Sequence, residues 1–178
     1  VAFGPTPRSR VDELGFAITP GKGVDHMRTE MSHTYPIPLK KAFHAVADFR
    51  RWPDWYAGMT EILEPEKGRW GAVGDKVRFA YRLLGRRVEG EAIVKEFREL
   101  ELVAFRTEVP GLPTVHFEYR YEEKGREAFV LTVAMETEEP TSFFGKAIDK
   151  MLLPRVLERD LRHSLENLDT MLGILEPA

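Results

Sequence analysis

The residues best equipped for chemistry are a few tyrosines, one histidine and scattered arginines. Tyr81 and Tyr119 stand in the alternating runs Phe79-Ala80-Tyr81-Arg82 and Phe117-Glu118-Tyr119-Arg120. That spacing puts both phenols on the apolar face of a strand, where a buried hydroxyl must find a partner. His33 shares a face with Met31 and Tyr35, where an imidazole can act as a base. A hydrogen-bonded structural histidine is the commoner outcome of that pattern. His116 alternates with Val115 and Phe117 and should face solvent. Arg50 and Arg51 precede Trp52-Pro53-Asp54-Trp55-Tyr56 and could meet a carboxylate or phosphate, although a water-exposed helix edge explains them equally well. Arg82, Arg86 and Arg87 read as a solvated hairpin tip, and Arg106 as an outward charge.

Other chemistries leave no trace. The chain has no cysteine, which excludes disulfides and thiolate metal sites. Its five histidines form no His-x-x-x-His pair, and no carboxylate cluster completes a triad, so neither a metal nor a cofactor is expected. The acidic stretch at 136–139 reads as a solvated turn. No nucleophile elbow, phosphate loop or dinucleotide fingerprint is present, and Gly21-Lys22-Gly23 is too short to be one. No catalytic residue is assigned on this basis.

A length of 178 residues fits one domain with a real core. The net charge of -3 and pI near 6.0 argue against a nucleic-acid partner. No apolar run approaches the ~18 residues that span a bilayer, and residues 1–23 are too broken by Pro5, Pro7, Pro20 and charges for a signal core. A cytoplasmic protein is expected, without an integral membrane segment. Transient membrane contact and the oligomeric state stay open.

The elements that must position these residues follow from periodicity. Residues 1–25, rich in Gly and Pro, read as an irregular N-terminal arm. Met27 to Tyr35 alternates as a first strand. Pro38 opens a helix over Leu39 to Phe49, and a second short helix is expected over Pro53 to Gly58. Strands follow over 61–66, 76–84, 87–97, 101–109, 114–122 and 126–137, joined by turns such as Gly85-Arg86. Thr141 to Gly173 then carries one apolar stripe through Ile148, Leu152, Val156, Leu161, Leu165 and Leu168 on a 3.6-residue period, kinked at Pro154. At ~1.5 Å per residue this helix would reach about 45 Å. The order predicts an α+β fold: a curved antiparallel sheet of about seven strands, two short helices after the first strand, and a long C-terminal helix that the sheet wraps.

Several local motifs match that layout: Ile37-Pro38 through Phe43, Ala47-Asp48-Phe49, the Trp52-Pro53-Asp54-Trp55 corner and Val73-Gly74-Asp75. In this order the chain resembles the START/Bet v 1-like superfamily, the helix-grip fold of polyketide cyclase/dehydrase and lipid-transport proteins. The resemblance covers roughly Met27 to Leu172 and implies a ligand-binding domain over 26–174. It also implies a cavity between sheet and helix that holds a hydrophobic small molecule: a lipid, sterol, quinone, polyketide or aromatic compound. Its expected wall is Phe79, Tyr81, Phe105, Phe117, Tyr119, Leu131 and Val133 from the sheet, Trp55, Tyr56 and Met59 from the short-helix region, and Phe144, Ile148, Met151 and Leu152 from the long helix. Core packing explains each of these residues too. Within that cavity Tyr81 and Tyr119 would meet a ligand carbonyl, and the glycines at Gly58 and Gly74 would let the nearby corner and hairpin move as a gate. The implied activity is ligand binding or transport, with an aromatase/cyclase-type enzyme, or an interaction protein using the groove, as alternatives.

Overall fold

The computed structural model describes residues 28–64, 70–138 and 152–173, except the side chain of Leu153. The N-terminal arm and the stretch from Thr141 to Met151 lie outside them.

Strand β1 (Arg28–Tyr35) alternates as its sequence predicts and buries Met31 and Tyr35 completely. Pro38 then presents its carbonyl to the N–H groups of Lys41 and Ala42, at 2.9 and 3.3 Å. Helix α1 (Leu39–Ala47) buries Leu39, Ala42, Phe43, Val46 and Ala47, the spacing of one helical face. Asp48 stops it in extended backbone. Its carboxylate accepts the Arg50 N–H at 3.1 Å and opens a 3-10 turn over Phe49–Arg51. Helix α2 (Trp52–Trp55) follows, with Pro53 in its first turn, where a missing donor is harmless. It is shorter than the expected helix over Pro53 to Gly58 and starts one residue earlier. Tyr56 is already extended, and Gly58 at φ +87° turns the chain into β2.

Strands β2 (Met59–Glu64), β3 (Lys76–Leu83), β4 (Arg86–Arg98), β5 (Leu102–Glu108), β6 (Val115–Glu123) and β7 (Phe129–Thr137) form an antiparallel meander. β1 pairs with β7, so the seven-stranded order is β1-β7-β6-β5-β4-β3-β2. The predicted helix-grip sheet is the one observed. Register irregularities in β2 and between Val94 and Glu96 of β4 add twist and help the sheet curl. The β3–β4 turn falls one residue earlier than predicted. Leu83 pairs with Arg86, so Leu84 and Gly85 make the turn, at φ +50° and +78°. Both central residues of such a turn need positive φ, and Leu84 adopts it despite its side chain.

Helix α3 (Leu152–Met171) lies against the concave face. Val156, Leu161, Leu165 and Leu168 are buried in one stripe, as the periodicity requires. Polar residues share it: Asp160, Ser164 and Asp169 are buried too. Gly173, at φ +73°, ends the helix with its N–H on the Thr170 carbonyl. Pro154 sits near the start of the described helix, and the predicted kink concerns residues outside the described range.

Gly90, in β4, marks where the sheet is tightest. A methyl group there would lie 2.7 Å from Val109 Cγ2, 2.8 Å from the Glu108 carbonyl oxygen and 2.9 Å from Phe79 Cζ. The carbonyl belongs to the β4–β5 ladder and cannot yield cheaply. Gly90→Ala is therefore expected to destabilise the fold by about 1–3 kcal/mol, read from the urea midpoint at unchanged slope.

Candidate functional site

A cavity of about 80 Å³ lies on the concave side of β3 to β6. The sheet supplies Phe79, Tyr81, Phe105, Phe117 and Tyr119, and the short-helix region supplies Trp52, Tyr56 and Met59. Leu83, Val88, Val109, Leu112, Pro113 and Thr137 carry the wall to the end of the sheet where the β3–β4 hairpin and the β5–β6 loop stand. Leu157 closes it from α3. The lining is overwhelmingly aromatic and aliphatic, and no carboxylate or imidazole is among the described lining residues.

The rings form one packed array. Phe105 and Phe117 stack at 5.0 Å and 12°, and Trp52 stacks on Phe105 at 5.0 Å and 29°. Trp70 meets Trp52 edge-on at 5.3 Å, and Tyr56 meets Phe117 edge-on at 6.3 Å. Such contacts hold rings in set orientations. The fully buried corner has a cost, because the indole N–H groups of Trp52, Trp55 and Trp70 find no acceptor among the described residues.

The polar side of the wall is tied to α3. Tyr81 donates its hydroxyl proton to Asp160 Oδ2 at 2.6 Å. The other carboxylate oxygen accepts from Arg159 Nε and Nη2 at 3.1 and 2.8 Å. One turn on, Ser164 Oγ donates to the Asp160 carbonyl at 2.6 Å and accepts the Ala57 N–H at 2.8 Å. Asn167 Nδ2 donates to the Trp55 carbonyl at 3.1 Å. Successive turns of α3 thus hold Tyr81 and the backbone of the tryptophan corner. Burial pushes the Tyr81, Tyr56 and Tyr119 hydroxyls well above the ordinary phenol range. For Tyr56 the nearby Asp160 adds to the effect. These phenols keep their protons at any physiological pH.

Most of the described residues expected from sequence gather around this cavity: Tyr56, Met59, Phe79, Tyr81, Phe105, Phe117 and Tyr119. Trp55, Leu131 and Val133 are buried but do not line it. Leu131 and Val133 lie in β7, beside β1, where α3 packs directly: Tyr35 Oη donates to the Leu165 carbonyl there at 2.9 Å. Leu152 is 44% exposed, and Leu157 takes the place expected of it. Phe144, Ile148 and Met151 lie outside the described residues. His33 is no base for this cavity: its Nε2 meets Asp169 Oδ2 at 3.0 Å, away from the lining residues. Burial raises the Asp169 carboxyl, and the imidazole partly offsets that. Arg50 pairs with Asp48 at 2.8 Å and Arg51 with Asp54 at 3.4 Å, which leaves the solvated helix edge as their explanation. Arg106 points outward to Glu108 at 2.8 Å, and His116 approaches Glu138 at 3.4 Å. Asp160 and Ser164 escaped the sequence reading. Their signal was available: each follows the buried Val156 at four-residue steps, and a polar residue on a buried stripe is the informative exception.

This sheet, helix and cavity define a helix-grip protein of the START/Bet v 1-like superfamily. The family model for polyketide cyclase/dehydrase and lipid transport matches residues 26–173, and the chain belongs to that family. Solved structures share the fold at low identity. The Zhui aromatase/cyclase from Streptomyces sp. R1128 is 17% identical, with a TM-score of 0.68 over 83% of this chain and 94% of that one. A START superfamily protein from Mycobacterium smegmatis is 12% identical, with a TM-score of 0.64 over 82% and 97%. Ara h 8.0201 is 15% identical, with a TM-score of 0.63 over 84% and 99%. No curated protein sequence matches the chain.

The corner that carries Trp52 depends on Asp48. Burial alone would raise its carboxyl, but hydrogen bonds and charge from Arg50 outweigh that and hold it below the usual range. A depressed carboxylate stabilises the fold above its unfolded pKa of about 3.9, and the contribution disappears as pH falls through the lower folded value. Asp48→Ala is expected to cost about 1 kcal/mol at neutral pH. In thermal melts at a series of pH values, its deficit against wild type should shrink below about pH 4.

Proposed function

We propose that the chain binds a compact aromatic or otherwise apolar small molecule in the sheet–helix cavity and acts as a carrier or binding protein. The observation that carries this reading is the lining: stacked and edge-on rings, aliphatic side chains, and hydroxyls as the main polar groups. A site of this type works by burial. One ring of ~150 Å² removed from water is worth roughly 4 kcal/mol gross, near the millimolar range, so polar contacts must supply any tighter binding.

Size narrows the ligand. Drug-sized sites run to about 300–1,000 Å³, and an engineered apolar cavity of about 150 Å³ takes up benzene. A cavity of about 80 Å³ is roughly half that volume, so even a single ring enters only as the walls yield. A lipid chain or polyketide needs ring side chains to move. The family and the aromatase/cyclase relative support a cyclase-like enzyme as the second reading, and the tyrosine hydroxyls on the wall are what favours it here. Acid–base chemistry wants ionisable groups converging on the substrate. The lining described here offers phenols held protonated, which supports binding over turnover.

Native mass spectrometry of the purified protein, followed by organic extraction, tests the reading. Co-purification of a stoichiometric aromatic or apolar compound, released unchanged, is the expected result. Release in cyclised or dehydrated form would establish the enzyme instead. A bare protein mass, with no thermal shift from a panel of monocyclic aromatics, would exclude a binding cavity. Phe117→Ala should enlarge the space beside Phe105 and Tyr56, at a cost of about 3–5 kcal/mol in stability. Fluorescence titration should then show bicyclic aromatics gaining affinity relative to monocyclic ones.

A further inference from the structure

The Tyr81–Asp160 pair fixes the hydrogen-bonding polarity of the cavity wall. Tyr81 has a single hydroxyl proton, and it lies on Asp160 Oδ2 at 2.6 Å. Asp160 is only 6% exposed, and its second oxygen is taken by Arg159. A carboxylate is acceptor-only. If Tyr81 turned its proton toward the cavity, a buried carboxylate oxygen would lose its donor, a loss that proteins avoid. The ring is held as well. A Cβ at position 58 would stand 2.6 Å from Tyr81 Cζ and 2.8 Å from its hydroxyl oxygen, so the tip of the phenol rests on bare glycine backbone. What Tyr81 has left to offer is the lone-pair side of its oxygen.

We propose that Asp160 locks Tyr81 as a hydrogen-bond acceptor, so that the cavity selects molecules carrying a donor (a phenol, alcohol or amine) over the same molecules with the donor capped. This reverses the polarity expected from sequence, in which Tyr81 would donate to a ligand carbonyl. The inference rests on the binding function proposed above. Asp160 is a positioning residue in this scheme, since it acts through Tyr81 and does not line the cavity. Tyr56 complements it. Its ring centre lies 6.4 Å from that of Tyr81, and burial keeps its proton in place, so it can donate to the oxygen of the same ligand hydroxyl. A capped ligand can still accept from Tyr56, but its ether oxygen brings no proton to the Tyr81 lone pairs, and acceptor faces acceptor there.

The test compares para-cresol with its methyl ether by calorimetric titration, on wild type, Tyr81→Phe and Asp160→Asn, with thermal melts to establish folding. Wild type is expected to hold para-cresol about tenfold more tightly than the ether. Tyr81→Phe removes one oxygen, keeps the ring, and should bind the two probes alike. In Asp160→Asn, Arg159 retains the amide oxygen and the NH₂ turns to Tyr81, which frees the phenol proton for the ether; the preference should vanish or invert. Equal wild-type affinity for the two probes overturns the donor rule and leaves the binding function standing. Failure of both to bind overturns both. A preference that survives Tyr81→Phe belongs to shape rather than to Tyr81, and one that survives intact in Asp160→Asn removes the role of Asp160. Tyr81→Phe decides whether the donor rule belongs to Tyr81 even if Asp160→Asn does not fold.

Discussion

The hydrogen bonds that α3 sends out from its buried stripe are the constraint on which the rest depends. A helix lying in a curved sheet could be held by apolar packing alone, and Leu161, Leu165 and Leu168 would suffice for that. Apolar packing is tolerant of small slides and rotations. The side chains of Asp160, Ser164 and Asn167 are not, because each meets one named partner outside the helix: Tyr81, the Ala57 N–H and the Trp55 carbonyl. Buried polar groups must be satisfied or they cost more than they contribute. These pairs therefore fix the helix in rotation and in depth, and with it the distance between the tryptophan corner and β3. The cavity is the gap left once that spacing is set.

Another side of the same stretch of α3 is fixed by the same means. Tyr35 reaches the Leu165 carbonyl, and His33 reaches Asp169, so β1 holds the helix where the cavity does not extend. This division explains why the inner face of the sheet serves two purposes. On β1, which hydrogen-bonds to α3, and on β7 beside it, residues such as Met31, Leu131 and Val133 are fully buried core. On β3, β5 and β6, the corner of Trp52 to Tyr56 intervenes, and rings such as Phe79, Phe105 and Phe117 face the space it leaves. One pattern of alternation produced both sets.

That is also why the fold was more legible in the sequence than the site. A period of two in the strands, a period of 3.6 in the helix, and Pro38, Pro53 and Gly58 at the breaks are local signals, and they describe the type and order of the elements, with some ends shifted. The misplaced turn at Leu84-Gly85 shows the limit of such signals, since a ladder can drive a leucine to positive φ when its register demands it. Whether an inward residue becomes wall or core depends on which element stands opposite. No periodicity carries that information for Trp55, Leu131 or Val133. Asp160 was readable in principle, as a charge on an apolar stripe, but its partner Tyr81 is 79 residues away and nothing local joins them.

The saturation of Asp160 bears on what this cavity does. A carboxylate beside a ligand cavity is a natural first candidate for a general base. Here one oxygen is held by Tyr81 and the other by Arg159, and the adjacent backbone carbonyl is held by Ser164. To take a proton from a ligand, the carboxylate would have to give up a short buried hydrogen bond and work through a phenol that burial and charge already keep protonated. Every feature that makes the pair a rigid fixture makes it a poor proton relay. For the binding function proposed above the same features are an advantage, because an acceptor that cannot reorient discriminates between ligands, whereas a freely rotating hydroxyl would serve donor and acceptor alike.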